Sequence, residues 1–265
     1  MTNNECRKNN SSSSFRLDLL RRAIKPFKLY WYPRLGSTND QAAMLRKRGE
    51  LFAPAIVLTG CQTAGRGRGG NSWWSRRGVL TVTFVFPIND RVAPHQLPLL
   101  AGLALRDAAA LLAPEGRVQL KWPNDLLIDG RKLAGLLCER VHKADLVGLG
   151  MNVNINPCTA PRELRGRMTS LAEWSATPLD LTAVLISLSR ALHAMLTHQN
   201  ERTFGEHLRQ YDRHHALIGR RVSISDGGTT PTLTGKCEGL DPMGRLLVRE
   251  GRTLHRAIAG HVHVL

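Results

Sequence analysis

The sequence predicts an α+β protein, with a layered domain of helices and strands followed by a small all-β module. Three observations predict it. Helix and strand periods alternate through the first two-thirds of the chain. After Gly219 the texture changes to short β segments separated by glycine turns, a barrel-like module over 219–265. The length, 265 residues, suits one large and one small domain.

The elements follow in order. Residues 1–27 open with "MTNNECRKNNSSSSF", which has no apolar core for a signal peptide, and are expected to form a disordered polar tail. The large domain is expected over 28–218. It starts with a strand, "KLYWYP" at 28–33. "STNDQAAMLRKRG" at 37–49 reads as a helix with Ser37 or Thr38 as N-cap and Gly49 as its stop. A second strand at 55–61 runs into a glycine loop, and "VLTVTFVFP" supplies a third. The segment 93–114 carries a helix with almost no polar face, hence a buried one. Residues 117–140 read as a strand, a turn and two strands around "DG", a favoured hairpin turn. One more strand lies in 144–156. Two helices follow; in the first, Leu181, Leu185, Leu188 and Leu192 mark a core face by their helical spacing.

Composition narrows the function classes. No apolar run reaches the roughly 18 residues of a membrane span, so no membrane partner is expected. The five cysteines are scattered and odd in number, with no C-x-x-C, which argues against a disulfide framework or a zinc cage and for a cytoplasmic protein. His214-His215 and His261-x-His263 lack partner cysteines, so no metal site is expected of them. The net charge of +16 makes nucleic acid an obvious partner to weigh, but the positive residues are spread along the whole chain.

The stretch "GCQTAGRGRGGNSWWSRRG" contains Gly65, Gly67 and Gly70 in the pattern G-x-G-x-x-G. In a dinucleotide fold that glycine turn opens a helix whose N-terminus faces the pyrophosphate. Here "NSWWSRRG" is a poor helix start and a strand follows, so the pattern does not mean that fold. Arg66 and Arg68 suggest another use: a loop that folds over a ligand and brings guanidinium groups to an anion, with Trp73 or Trp74 as a flat face for a planar ligand. A solvent-exposed basic loop anchored by one tryptophan is the plainer alternative. A second constellation is "KWPNDLLIDGRKLAGLL". Lys121 ends a strand, Asn124 and Asp125 sit in the turn, Lys132 begins the return strand, and Gly135 permits close backbone approach.

Taken together, "STN" at 37–39, "QTAGRGRGGNSWWS" at 62–75, "KWPNDLLIDGRKLAGLL" at 121–137 and "GLGMNVN" at 148–154 resemble the biotin protein ligases. These enzymes attach biotin to a lysine of the biotin carboxyl carrier domain of carboxylases. The resemblance runs from about Lys28 to the C-terminus. It implies a mixed β-sheet flanked by helices, of the class II synthetase-like biotin/lipoate ligase type, followed by an SH3-like barrel. It also implies ATP and biotin as substrates, with Mg²⁺. Ser37, Thr38, Asn39 and Gln62 match positions that hold the biotin rings, and Gly135, Leu136 and Gly148 match backbone lining that pocket. Arg66, Gly67 and Arg68 match the lid over biotin and phosphate. Lys132 matches the lysine that meets the biotin carboxylate and the α-phosphate. Trp73, Asn124 and Asn152 match positions around the adenine, and Lys121 and Asp125 match polar residues at the reacting centre. Two departures stand out. Gly69 and Asn71 stand where the family often has arginine, so the loop carries less charge, and His261 stands where an acidic residue is common.

The implied chemistry suits these residue types. A free carboxylate is a poor acyl donor, and adenylation makes a mixed anhydride with a good leaving group. That step brings two anions together, so Lys132, Arg68 and Mg²⁺ are expected to share the charge; one pre-aimed donor in such a site is worth roughly 3 kcal/mol. Asp125 is the candidate base for the carrier lysine. The ureido ring offers two donors and one acceptor, which hydroxyl and amide side chains match. Two other readings stay open: a lipoate or octanoate ligase of the same superfamily, and a DNA-binding, biotin-responsive repressor. For the second, only about 27 residues precede the first expected strand, short for a three-helix DNA reader, and no specific DNA binding is expected. A homodimer stays open as well.

Overall fold

The computed structural model describes residues 15–175, 177–197, 203–226 and 232–265. In chain order the elements are α1 (Leu17–Ala23), β1 (Lys28–Tyr32), α2 (Thr38–Lys47), β2 (Ala55–Thr59), β3 (Val79–Pro87), α3 (Leu97–Leu112), β4 (Val118–Lys121), β5 (Asp125–Ile128), β6 (Arg131–Val141), β7 (Ala144–Asn152), α4 (Leu181–Thr197) and α5 (Phe204–Arg213). The remaining strands are β8 (Arg221–Ser225), β9 (Leu233–Leu240), β10 (Leu246–Glu250), β11 (Thr253–Ala257) and β12 (His261–Val264). Strands β1 to β7 form one mixed sheet in the order β1-β2-β3-β7-β6-β5-β4, and β8 to β12 form a second, antiparallel sheet in the order β11-β10-β9-β8-β12. This is the mixed sheet with flanking helices and the small C-terminal β module expected of an SH3-like domain.

The strands alternate between two environments because successive side chains point to opposite faces. Ile56, Leu58, Leu80, Val82, Phe84, Leu126, Ile128, Ala134, Leu136, Val147, Leu149 and Met151 pack in the same core as residues of α3 and α4. The opposite face is covered by α2 at one end, where Ala42 and Leu45 meet Ala55, Val57, Val85, Ala144 and Leu146. Beyond α2, the centre of that second face is lined by Gly135, Gly148, Gly150, Thr81 and Thr83.

One expectation is corrected. The polar tail over 1–27 does not extend to Lys28: residues 17–23 form α1, and Phe15, Leu20, Ile24 and Phe27 are buried in the main core. The missed signal is the helical spacing of Leu17, Leu20 and Ile24, hidden among arginines and next to a serine run. Residues 1–14 lie outside the described residues.

Candidate active site

The open sheet face becomes a site through register. On that face Lys121 of β4 lies opposite Asp125 of β5, Asp125 opposite Gly135 of β6, Gly135 opposite Gly150 of β7, and Gly150 opposite Thr81 of β3. A second row runs from Leu137 through Gly148 to Thr83. Glycine and threonine where neighbouring rows carry valine and leucine leave a trough in the sheet. Lys132 joins this face through an irregularity. A register shift between Leu126 and Leu127 pairs Leu127 with Lys132, where an unbroken ladder would pair it with Leu133. A one-residue slip moves a side chain to the other face, so the bulge turns Lys132 toward Asp125. Lys132 Nζ lies 2.7 Å from Asp125 Oδ1.

A cavity of about 450 Å³ occupies the trough, within the usual range for a small-ligand pocket. Each residue expected from the sequence lines it: Ser37, Thr38, Asn39, Gln62, Arg66, Gly67, Arg68, Trp73, Lys121, Asn124, Asp125, Lys132, Gly135, Leu136, Gly148 and Asn152. Its two ends differ in chemistry. Over β3 and β7, the start of α2 contributes a neutral polar cluster. Ser37 caps the helix, its side chain accepting from the Asp40 N–H. The Thr38 N–H donates to Gln62 Oε1 at 2.8 Å, Thr83 Oγ1 donates to Asn39 Oδ1 at 2.6 Å, and Asn39 Nδ2 donates to Leu137 O at 3.0 Å and to Glu139 Oε2 at 2.7 Å. Gly148 makes room for this cluster, since a Cβ there would stand 2.2 Å from Asn39 Oδ1.

At the other end, over β6, β5 and β4, cations gather around one carboxylate; the farthest, Lys121 of β4, is three strands from β7, roughly 14 Å at ~4.8 Å per strand. Burial lowers the Lys121 pKa and nearby Lys132 adds to the effect, while Asp125 opposes it. Burial also lowers that of Arg68, with Asp125 again opposing. Asn124 is fixed by donating from Nδ2 to Leu136 O at 2.6 Å, and Asn152 Nδ2 donates to Lys132 O at 3.2 Å.

The glycine loop covers the trough. It folds back on itself, with the Trp73 N–H donating to Gly65 O at 2.8 Å and a short 3₁₀ turn at Arg68–Gly70. Strand β3 follows, so no helix N-terminus forms here, as the sequence implied. The Trp73 ring lies directly on the sheet: a Cβ at Gly150 would stand 2.2 Å from its Cε2. Lys132 Nζ sits 5.8 Å from the ring centroid.

Several lining residues escaped the sequence reading. Gly150 shares a face with Gly148 and was legible from the period of two in "GLGMN". Thr81, Arg167 and Met168 carried no local signal. His261 and His263, given no role by the sequence reading, line the cavity from the C-terminal sheet, and the His261 ring packs against Gly69. The two visible departures from the family pattern therefore touch. Among the described residues, no group of three His, Cys, Asp or Glu side chains is placed to hold a metal ion.

Comparison with known proteins places this architecture. A model of the biotin/lipoate A/B protein ligase family matches residues 31–156. Over 238 residues the chain is 31% identical to the biotin–[acetyl-CoA-carboxylase] ligase of Mycobacterium tuberculosis, covering 86% of each chain. The chain belongs to the biotin/lipoate A/B protein ligase family. Its likeness extends to the biotin–[acetyl-CoA-carboxylase] ligase of Paracoccus denitrificans, 40% identical over 127 residues that cover 45% of this chain and 52% of that one. Among solved structures it is similar to the biotin protein ligase of Aquifex aeolicus in complex with biotin and ATP, with a TM-score of 0.78 and 27% identity over 90% of this chain and 98% of that one.

Proposed function

We propose that the chain is an ATP-dependent biotin protein ligase that activates biotin as biotinyl-5'-AMP and transfers it to a lysine of a carboxylase's biotin carboxyl carrier protein. The observation that carries this reading is the division of one cavity into a neutral polar end and a cationic end. The polar end, with Thr38, Asn39 and Gln62, suits a ureido ring. The cationic end, with Arg68, Lys121 and Lys132, suits two anionic reactants.

In the first step a biotin carboxylate oxygen bonds to the α-phosphorus of ATP, the α–β phosphoanhydride bond breaks, and pyrophosphate leaves. Lys132 and Arg68 offset the charge that accumulates as carboxylate and phosphate meet. Trp73 offers its ring to the adenine, with Asn124 and Asn152 nearby. In the second step the neutral ε-amine of the carrier lysine attacks the acyl carbon, AMP leaves, and a proton must be removed. Asp125 is engaged by Lys132 in the free protein; when a ligand phosphate or carboxylate takes up Lys132, Asp125 becomes available as the acceptor. The loop keeps water from the anhydride. Asp125 is a single carboxylate already paired with lysine, so the lining offers poor resident ligands for Mg²⁺. An ion of this kind, usually held through substrate phosphates, would arrive with the nucleotide.

A lipoate or octanoate ligase would share the chemistry but needs an apolar tail pocket where the Thr38, Asn39 and Gln62 cluster stands. Incubation with ATP and either labelled biotin or lipoate, with and without a carrier domain, separates them. Biotin-dependent adenylate and labelled carrier are expected; preference for lipoate would overturn the assignment.

A further inference from the structure

The two loop arginines occupy different surroundings. Arg66 Nη2 lies 2.6 Å from Asp40 Oδ1 and 3.1 Å from Glu139 Oε2, and Nη1 donates to Glu139 Oε1 at 3.2 Å. Burial works against its charge, but these two carboxylates outweigh it and raise its pKa. Arg68 forms no ion pair among the described residues and points its charge into the cavity near Asp125. One guanidinium facing two carboxylates has no charge to spare for a third anion.

Glu139 is the shared point of this cluster. Its Oε2 accepts both from Arg66 and from Asn39 Nδ2, and Asn39 sits over Gly148 in the neutral polar end of the cavity. Loop, helix α2 and strand β6 thus meet through one carboxylate, although Arg66 and Glu139 are 73 residues apart in sequence. Without Arg66, Asp40 and Glu139 would be two like charges facing a gap.

We infer that Asp40 and Glu139 are positioning residues. They latch the loop through Arg66 over the ring-binding end of the cavity, so that Arg66 closes the lid while Arg68 serves the anionic reactants. The inference rests on the biotin reading for what the loop covers, but not for the latch itself. An isolated exposed ion pair is worth little; a three-charge network with bidentate contacts is the exception.

The test uses Glu139→Gln, Arg66→Gln and their double variant, with Asp40→Asn as a second route should Glu139→Gln fold poorly. Two rates are read: hydrogen exchange of the backbone amides of residues 65–73 in the ligand-free protein, and biotin dissociation. Each single variant is expected to raise both by roughly fivefold, with unchanged melting temperature. The double variant is expected to match Arg66→Gln, because that substitution already removes the contact to Glu139 along with the one to Asp40. High salt should move the wild type toward the variants. Unchanged loop exchange in Glu139→Gln and Asp40→Asn, or multiplying effects in the double variant, would overturn the latch. Wild-type protein that binds no biotin would instead sink the reading of the site, and the exchange comparison would still judge the latch.

Discussion

Gly150→Ala is the sharpest way to separate the nucleotide end of the cavity from the rest. A methyl at this position would stand 2.2 Å from Trp73 Cε2, 2.5 Å from Cζ2 and 2.6 Å from Nε1. Ordinary carbon contacts lie at ~3.5–4.0 Å, so something must retreat by at least about 1.3 Å. The strand cannot give, because flanking Leu149 and Met151 are buried in the main core. Trp73 belongs to a half-buried loop and can give. The cost should therefore fall on the ring's position rather than on the fold. Stacking of a base on an aromatic ring is worth about 1–3 kcal/mol. If Trp73 is the adenine platform, losing its seat raises the KM for ATP by roughly five- to a hundredfold. The fold should lose no more than about 1 kcal/mol, or roughly 3 °C in Tm. Pyrophosphate exchange at saturating biotin with varied ATP, alongside a thermal melt, reads both. Biotin affinity should stay within about twofold, since Gly148 and its polar cluster are untouched. An unchanged ATP KM, or a loss confined to biotin, would refute the placement of Trp73.

Two further outcomes follow from the same geometry. Lys132→Gln keeps the bulge and most of the side-chain volume but removes the charge beside Asp125; adenylation should fall about a hundredfold, measured as biotin-dependent exchange, with little change in melting temperature. In the C-terminal module, Asp241 accepts from the backbone N–H groups of Met243 and Arg245 at 2.9 Å each and from Arg245 Nε at 2.6 Å. Burial opposes its charge but these donors outweigh it, so its pKa is lowered. A lowered carboxyl contributes stability above its unfolded value of ~3.9, lost as pH falls through the folded value. The stability gap between wild type and Asp241→Asn should therefore narrow below about pH 4, read as urea midpoints; a constant gap would contradict this.

Much of the site was legible because it is built from short, local patterns. The hairpin of β4, β5 and β6 announces itself through "WPND" and "DG", and the start of α2 through its serine cap. What stayed hidden depends on chain segments far apart in sequence. Nothing local says that Glu139 reaches Arg66, or that Thr83 donates to Asn39. The bulge that turns Lys132 to the cavity is likewise a property of pairing, not of composition. The C-terminal sheet reaches the cavity through His261, a contact set by the packing of two sheets. At the N-terminus the error ran the other way, since a polar run masked the spacing of Leu17, Leu20 and Ile24.

The most direct measurement is pyrophosphate exchange into ATP, with and without biotin, in wild type and in Arg68→Gln/Lys132→Gln. Exchange should require biotin and fall at least about a hundredfold in the double variant, while the protein stays folded. Exchange near the wild-type rate in that variant would show that these cations do not bring the two anions together.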